Sequence, residues 1–222
     1  MDPSPVSLRP FNPPPRLVDT RLPAPGYVPA TLTRGFSTEF GSLDSIERQW
    51  GPDRALLGEE LRSYGENLQS AHWRWTWKAD RPAHWHCLVT IECEGQIQGI
   101  LAVENLLRPA QIVPNGWVLY VDYLEVAPWN YRVPQDRAEP AIRMPRFAGV
   151  GTVLIGEAIR MSLGRAAGGR VGLHSLPQAE DFYRGRCGMN NLGRDSNYYD
   201  LVYFEYADGV VAEQLTKLGL SA

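Results

Sequence analysis

Polar and apolar positions change period several times along the chain, and each change marks a new element. From Ser42 the spacing is helical: SLDSIERQW offers Ser42 or Asp44 as a cap, and RALLGEELRSYGENL sets Leu56, Leu57, Leu61 and Tyr64 near one stripe. Two short helices are expected there. The period then drops to two in CLVTIECEGQIQGILAV, two strand-like runs around Glu94-Gly95 that predict a β-hairpin. WVLYVDYLEVAP, rich in β-branched and aromatic residues, predicts a third and longer strand. A long irregular stretch from Pro128 to Pro145 follows. A helix then runs to Gly168-Gly169, RVGLHSL supplies a strand, AEDFYRGR a short helix, and YYDLVYFEYA a last strand before an amphipathic C-terminal tail. This order predicts an α+β fold with a strand-helix-strand unit at its centre.

The first 30 residues read differently. Their many prolines remove backbone donors and favour extended chain, so residues 1–30 are expected to form an arm and not a core element. VSLRPF within it suits a short edge strand. Residues 31–222 are then expected to form one domain, which suits a length of 222 residues at 44% hydrophobic.

The net charge of -3 lacks the basic excess that would steer the whole chain to nucleic acid or an anionic membrane. The longest apolar runs are too short to span a bilayer, and MDPSPVSLRPFNPPP lacks the basic and apolar parts of a signal peptide. Three cysteines, Cys87, Cys93 and Cys187, make an odd count without metal-type or redox-type spacing. A cytoplasmic protein is expected.

RFAGVGTVLIGEAIRMS, residues 146–162, carries the most specific chemistry. A helix beginning at Gly149 to Gly151 leaves its first N–H groups without intrahelical partners, at the positive end of the macrodipole. Glycine lets a ligand approach that backbone, and a phosphate or pyrophosphate is its natural occupant. Thr152 can add a hydroxyl. Arg146 either adds a compensating charge or neutralises a neighbouring carboxylate. A P-loop would need a lysine after the second glycine, yet Lys78 and Lys217 lie far away, and a Rossmann fingerprint would need glycine where Leu154 stands.

Arg146-Phe147-Ala148-Gly149-Val150-Gly151 resembles the pyrophosphate loop of the GNAT superfamily of acyl-CoA-dependent N-acetyltransferases, Gln/Arg-x-x-Gly-x-Gly/Ala. Leu124-Glu125-Val126-Ala127-Pro128 is similar to the segment ending the family's preceding strand, and Ala179-Glu180-Asp181-Phe182-Tyr183 to its later tyrosine motif. The three occur in the family's order. Departures are Cys187-Gly188-Met189 for the usual Leu-Gly-Phe, Leu176 for an asparagine that often contacts coenzyme A, and a longer connection from Trp129 to Pro145. That connection either shapes the acceptor pocket or is an inert insertion.

The resemblance implies a mostly antiparallel mixed central sheet flanked by helices, with a strand pair splayed around the cofactor, and acetyl-CoA as co-substrate. It implies that the backbone amides of Phe147 to Thr152 grip the pyrophosphate. Leu124 and Val126 would pair with the pantetheine amides, and the Val126 N–H would face the acetyl carbonyl. Acceptor attack would be direct, with no acyl-enzyme, and Tyr183 would protonate the departing thiolate. Period-two alternation puts Asp122 on the face of Leu124 and Val126, making it the first candidate base; Glu125 points to the other face unless the strand bulges. The acceptor is an amine of a small molecule or protein. A homodimer is left open.

Other residues invite weaker readings. His84 and His86 share a strand face but lack further ligands at metal-type spacing, so a structural pair is favoured and no metal is expected. Cys87 and Cys187 read as inert core thiols, and His174 as a packing residue near the tyrosine motif. Trp73, Trp75 and Trp77, alternating, would make a flat aromatic face on a strand, either for stacking a sugar or base or as the cover of a small core. Rival functions are therefore a carbohydrate or single-strand binding module and an acyl-CoA sensor without catalysis.

Overall fold

The computed structural model describes residues 14–21, 24, 26–35, 43–79, 85–132 and 144–206. VSLRPF, His84, most of the long connection and the C-terminal tail lie outside the described residues. Eleven strands are found among those described: β1 (Arg16–Asp19), β2 (Gly26–Pro29), β3 (Thr31–Gly35), β4 (His86–Cys93), β5 (Gln96–Glu104), β6 (Arg108–Pro109), β7 (Trp117–Val126), β8 (Phe147–Ala148), β9 (Val171–Ser175), β10 (Asn190–Asp195) and β11 (Leu201–Glu205). Three α-helices join them: α1 (Asp44–Ser63), α2 (Trp75–Ala79) and α3 (Val150–Leu163).

The large sheet runs β10-β11-β9-β7-β5-β4-β3, with β6 on the edge of β7. Its pairs are antiparallel except β7 with β9, which are parallel and joined through α3. This is the expected mixed, mostly antiparallel sheet with helices on both faces. The β4–β5 hairpin turns at Glu94 and Gly95, both at positive φ (52° and 69°), the tight turn that matches strand twist.

Two apolar layers hold the sheet. On one face α3 packs Val153, Leu154, Ile155 and Ile159 with Val89, Leu101, Val103, Leu119 and Leu173. It approaches so closely that a Cβ on Gly99 would lie 2.6 Å from Val150 Cγ1. On the other face α1 sets Ile46 and Trp50 among Leu88, Ile100 and Ala102, with the indole N–H of Trp50 donating to the Ile97 carbonyl at 3.2 Å.

Several expectations need correction. SLDSIERQW and RALLGEELRS form one continuous helix, α1, with Pro52 inside it: the missing N–H falls on the exposed side, where packing of Trp50, Leu57 and Leu61 holds both halves in line. Leu43, and not Asp44, is the N-cap, without a side-chain bond; Ser42 lies outside the described residues. Helix α3 stops at Leu163, and Gly168 and Gly169 form a positive-φ turn before β9. The tryptophans do not alternate on a strand. Trp75 opens the short helix α2 and is fully buried, whereas Trp77 is 78% exposed, so no flat aromatic face exists. The proline-rich segment is also more than an arm from Arg16 onward. β1 pairs with β2 and β8, and Leu17 is wholly buried in the α3-side core.

Candidate active site

Beyond Val121 and Leu173 the parallel pairing of β7 and β9 ends. The remaining end of β7 keeps β5 on one side only: the Ala127 N–H donates to the Gln98 carbonyl at 2.9 Å. Because N–H direction alternates along a strand, Glu125 also points its N–H to β5, while Leu124 and Val126 aim theirs at the gap. Helix α3 begins at that gap. Its N-cap, Gly149, has φ 94°, in the left-handed region that favours glycine, and the first intrahelical bond is from Val153 N–H to the Gly149 carbonyl at 2.9 Å. Val150, Gly151 and Thr152 therefore have no intrahelical acceptor for their amides. A parallel strand pair opening at the N-terminus of the helix that joins it is the expected splay.

A cavity of about 1300 Å³ occupies this opening, lined by Asp122 to Val126, Phe147, Ala148, Val150, Gly151 and Tyr183 among others. At Gly151 a Cβ would meet the Phe182 ring at 3.1 Å, so that ring packs on the backbone of the helix tip, with Val150 and Thr152 buried on either side. The loop before it is held from behind. Asn130 Oδ1 accepts from the Phe147 N–H at 2.8 Å, while Asn130 Nδ2 and Trp129 Nε1 both donate to Gln98 Oε1, at 2.9 and 2.8 Å. Ala148 sits opposite Val18 of β1. The Phe147 amide is thus already engaged, and the amides left without an acceptor by the helix start are those of Val150, Gly151 and Thr152. The guanidinium of Arg146 turns to the hairpin tip, donating to Glu94 Oε2 at 2.6 Å and Gln96 Oε1 at 2.9 Å, which is the neutralising role of the two considered. Thr152 is buried in the first turn of α3.

A bulge in β7 decides which carboxylates face together. Val103 pairs with Val121 but Ala102 with Tyr123, so Asp122 is the extra residue and the alternation shifts phase there. Val121 and Leu124 consequently both pack on the α3 side, and Tyr123 on the α1 side. Asp122 meets His86 Nε2 through Oδ2 at 2.9 Å and accepts from the Tyr198 hydroxyl through Oδ1 at 3.3 Å. Strict alternation, which grouped it with Leu124 and Val126, fails at this residue.

Glu125 is buried on the α1 side. Its Oε2 accepts from Arg54 Nη2 at 3.1 Å and from the Trp75 indole N–H at 2.6 Å. Burial pushes its carboxyl above the ordinary glutamate range, with the Arg54 charge opposing. Tyr183 is 6% exposed, and burial raises its hydroxyl, which holds it protonated at neutral pH. Cys187 beneath it is pushed up to about 12 by burial, as expected of an inert thiol.

The histidines find partners that spacing did not reveal. His86, Glu104 and Asp122 bring ligand-type atoms within 4.8 Å of one another, though Glu104 is also held by Arg108, whose Nε donates to it at 2.8 Å. His174 stacks on Tyr198 at 4.0 Å, bonds the Tyr120 hydroxyl through Nδ1 at 2.8 Å and Asp195 through Nε2 at 3.2 Å. Burial lowers its pKa, Asp195 opposing. Arg54, Gln98, Asn130 and Tyr198 carried no sequence signal: each meets its partner only through the fold.

No protein-family model matches the sequence, and no curated protein matches it. Solved structures do. A CoA-dependent acyl-homoserine lactone synthase, BjaI, is similar at 9% identity and TM-score 0.47, covering 87% of this chain and 91% of its own. An acyl-CoA N-acyltransferase from Pseudomonas aeruginosa matches at 13% and 0.41, covering 80% and 99%. An N-acetyltransferase from Staphylococcus aureus matches at 12% and 0.42, covering 81% and 98%. Likeness at this level identifies no site residue in this chain.

Proposed function

We propose that this protein transfers an acyl group, acetyl in the simplest case, from coenzyme A to a primary amine by direct attack. One observation carries the reading: the first residues of α3, Val150 and Gly151, and the end of β7 that β9 leaves unpaired among the described residues line the same cavity. The two are the parts an acyl-CoA requires, an anion site for its diphosphate and a free strand edge for its pantetheine amides.

In this reading the amides of Val150, Gly151 and Thr152 hold the diphosphate. Leu124 and Val126 pair with the pantetheine arm, and the Val126 N–H donates to the oxyanion that develops as the amine attacks. Glu125 is the preferred base. Both its hydrogen bonds fall on Oε2, leaving Oε1 to accept a proton, and its raised pKa brings it nearer the working pH. Asp122 has both oxygens engaged and acts as a positioning residue for Tyr198 and His86. Tyr183, protonated, supplies the proton to the departing thiolate. The carbonyl carbon thus exchanges its bond to sulfur for one to nitrogen; Glu125 takes the amine's proton and Tyr183 gives one to sulfur.

Calorimetry with acetyl-CoA, followed by a thiol-release assay over a panel of primary amines, tests this. Saturable binding with amine-dependent thiol release is expected. No heat at millimolar acetyl-CoA removes the reading; binding without release for any amine leaves an acyl-CoA sensor.

A further inference from the structure

A second groove, about 750 Å³, runs along the outer face of α1. Its helical wall is one continuous stripe from Glu47 to Arg62, floored by Gly51, Ala55 and Gly58, and its opposite wall is the segment from Ala71 to Arg74. The floor is open: a Cβ on Gly51 would meet nothing within 4 Å, and one on Gly58 only the Arg62 guanidinium at 3.7 Å. Arg54, His72 and Trp73 line both this groove and the large cavity, so the two spaces share a wall beside Glu125.

The groove's charges are unequal. Arg48, Arg62 and Arg74 line it and are exposed, with no ion pair among the described residues, and His72 stands beside them. Of its two acidic residues, Glu47 is already used: its carboxylate pairs with Arg54 at 3.2 Å and accepts from the Trp75 N–H. Glu59 is the other. Arg54 is itself 7% exposed, and its Nε has no hydrogen-bond partner among the described residues, a buried donor that an acceptor entering from the groove would satisfy.

From these features we infer that the groove binds an acidic peptide, whose terminal amine is thereby delivered to the cavity. The inference rests on the acyltransferase reading only for that last step. Glu47 to Arg62 is 16 residues of helix, about 22 Å from end to end, which matches six or seven residues of extended chain and exceeds any single amino acid. Arg48 and Arg62 toward its two ends and Arg74 on the facing wall, none ion-paired among the described residues, suit carboxylates repeated along a strand. A nucleic acid is the poorer fit, because the floor is glycine and alanine without a run of stacking aromatics and the chain's net charge is -3.

Fluorescence anisotropy on the full-length protein tests the groove without any turnover. The probe is a six-residue peptide, alanine followed by alternating glutamate and aspartate, with a free N-terminus and a C-terminal dye; its control replaces every acid by serine. We expect the acidic probe to bind about tenfold or more tightly than the control at low salt, and the preference to shrink at high salt. Arg48→Glu, Arg62→Glu and Arg74→Glu together should remove at least that factor, with circular dichroism verifying the fold. Arg48→Gln with Arg62→Gln is the milder variant should the triple fail to fold. Equal binding of the two peptides, or unchanged binding by the variant, overturns the inference, as does oligothymidylate displacing the probe as well as unlabelled peptide does. Acetyl-CoA calorimetry on the same sample separates the two readings: heat without peptide selectivity sinks the groove alone, and selectivity without heat sinks the enzyme alone.

Discussion

Replacing Arg54 by methionine strips the Glu125 carboxylate of its counter-charge while filling much of the same volume. The two groups lie 3.1 Å apart, and each side chain is 8% exposed. Removing one member of a buried pair costs about 3–5 kcal/mol, because the other charge stays desolvated. Arg54 also touches Glu47, but that carboxylate is 20% exposed and keeps more of its hydration. Burial already raises the Glu125 carboxyl, and loss of Arg54 raises it further. A carboxyl whose folded pKa exceeds its unfolded one holds its proton in the native state over a range where the unfolded chain has released it. Native stability is thus greatest below the unfolded pKa and is lost as pH rises through the folded one. The penalty of Arg54→Met should therefore be larger at pH 7.5 than at pH 5.5, because protonation of Glu125 at the lower pH removes the unpaired charge. Urea denaturation followed by tryptophan fluorescence, each variant against wild type at the same pH, measures it. Adding Glu125→Gln should restore more than half of the loss at pH 7.5. A penalty identical at both pH values, together with no restoration, would refute the burial and pairing assigned to Glu125.

Tyr183→Phe should lower kcat about 10²-fold or more while leaving acetyl-CoA affinity within about twofold, as steady-state kinetics and calorimetry would register; unchanged turnover would dismiss Tyr183 as the acid. Gly149→Ala should cost about 1–2 kcal/mol in thermal or urea unfolding, because φ 94° places a Cβ in the left-handed region. A neutral result would mean that the N-cap backbone differs from the one described.

Local chemistry was legible wherever it depended on neighbours in the chain. The Glu94-Gly95 turn, the strands on either side of it, the long strand to Val126 and the glycine-headed helix after it all follow from period and turn residues within a dozen positions. The helix start at Gly149 and Gly151 was legible for the same reason, since amides without intrahelical acceptors are a property of any helix start. Phase and partnership were not legible. One extra residue at Asp122 reverses the face of everything after it, and a bulge is set by the packing of β5 on β7 and by no local residue preference. Arg54 and Glu125 are 71 positions apart, Asn130 and Phe147 are 17, and Arg146 and Glu94 are 52. Which acid each arginine meets is decided when the sheet and α1 close on each other. Trp75 shows the same limit: alternation with Trp73 and Trp77 suggested a strand, but the segment from Trp75 is helical and its indole is buried against Glu125, 50 positions away. Turns, periods and helix ends are short-range consequences of covalent geometry and sequence, whereas burial of charge is a property of the closed core, and only the tertiary structure assigns it.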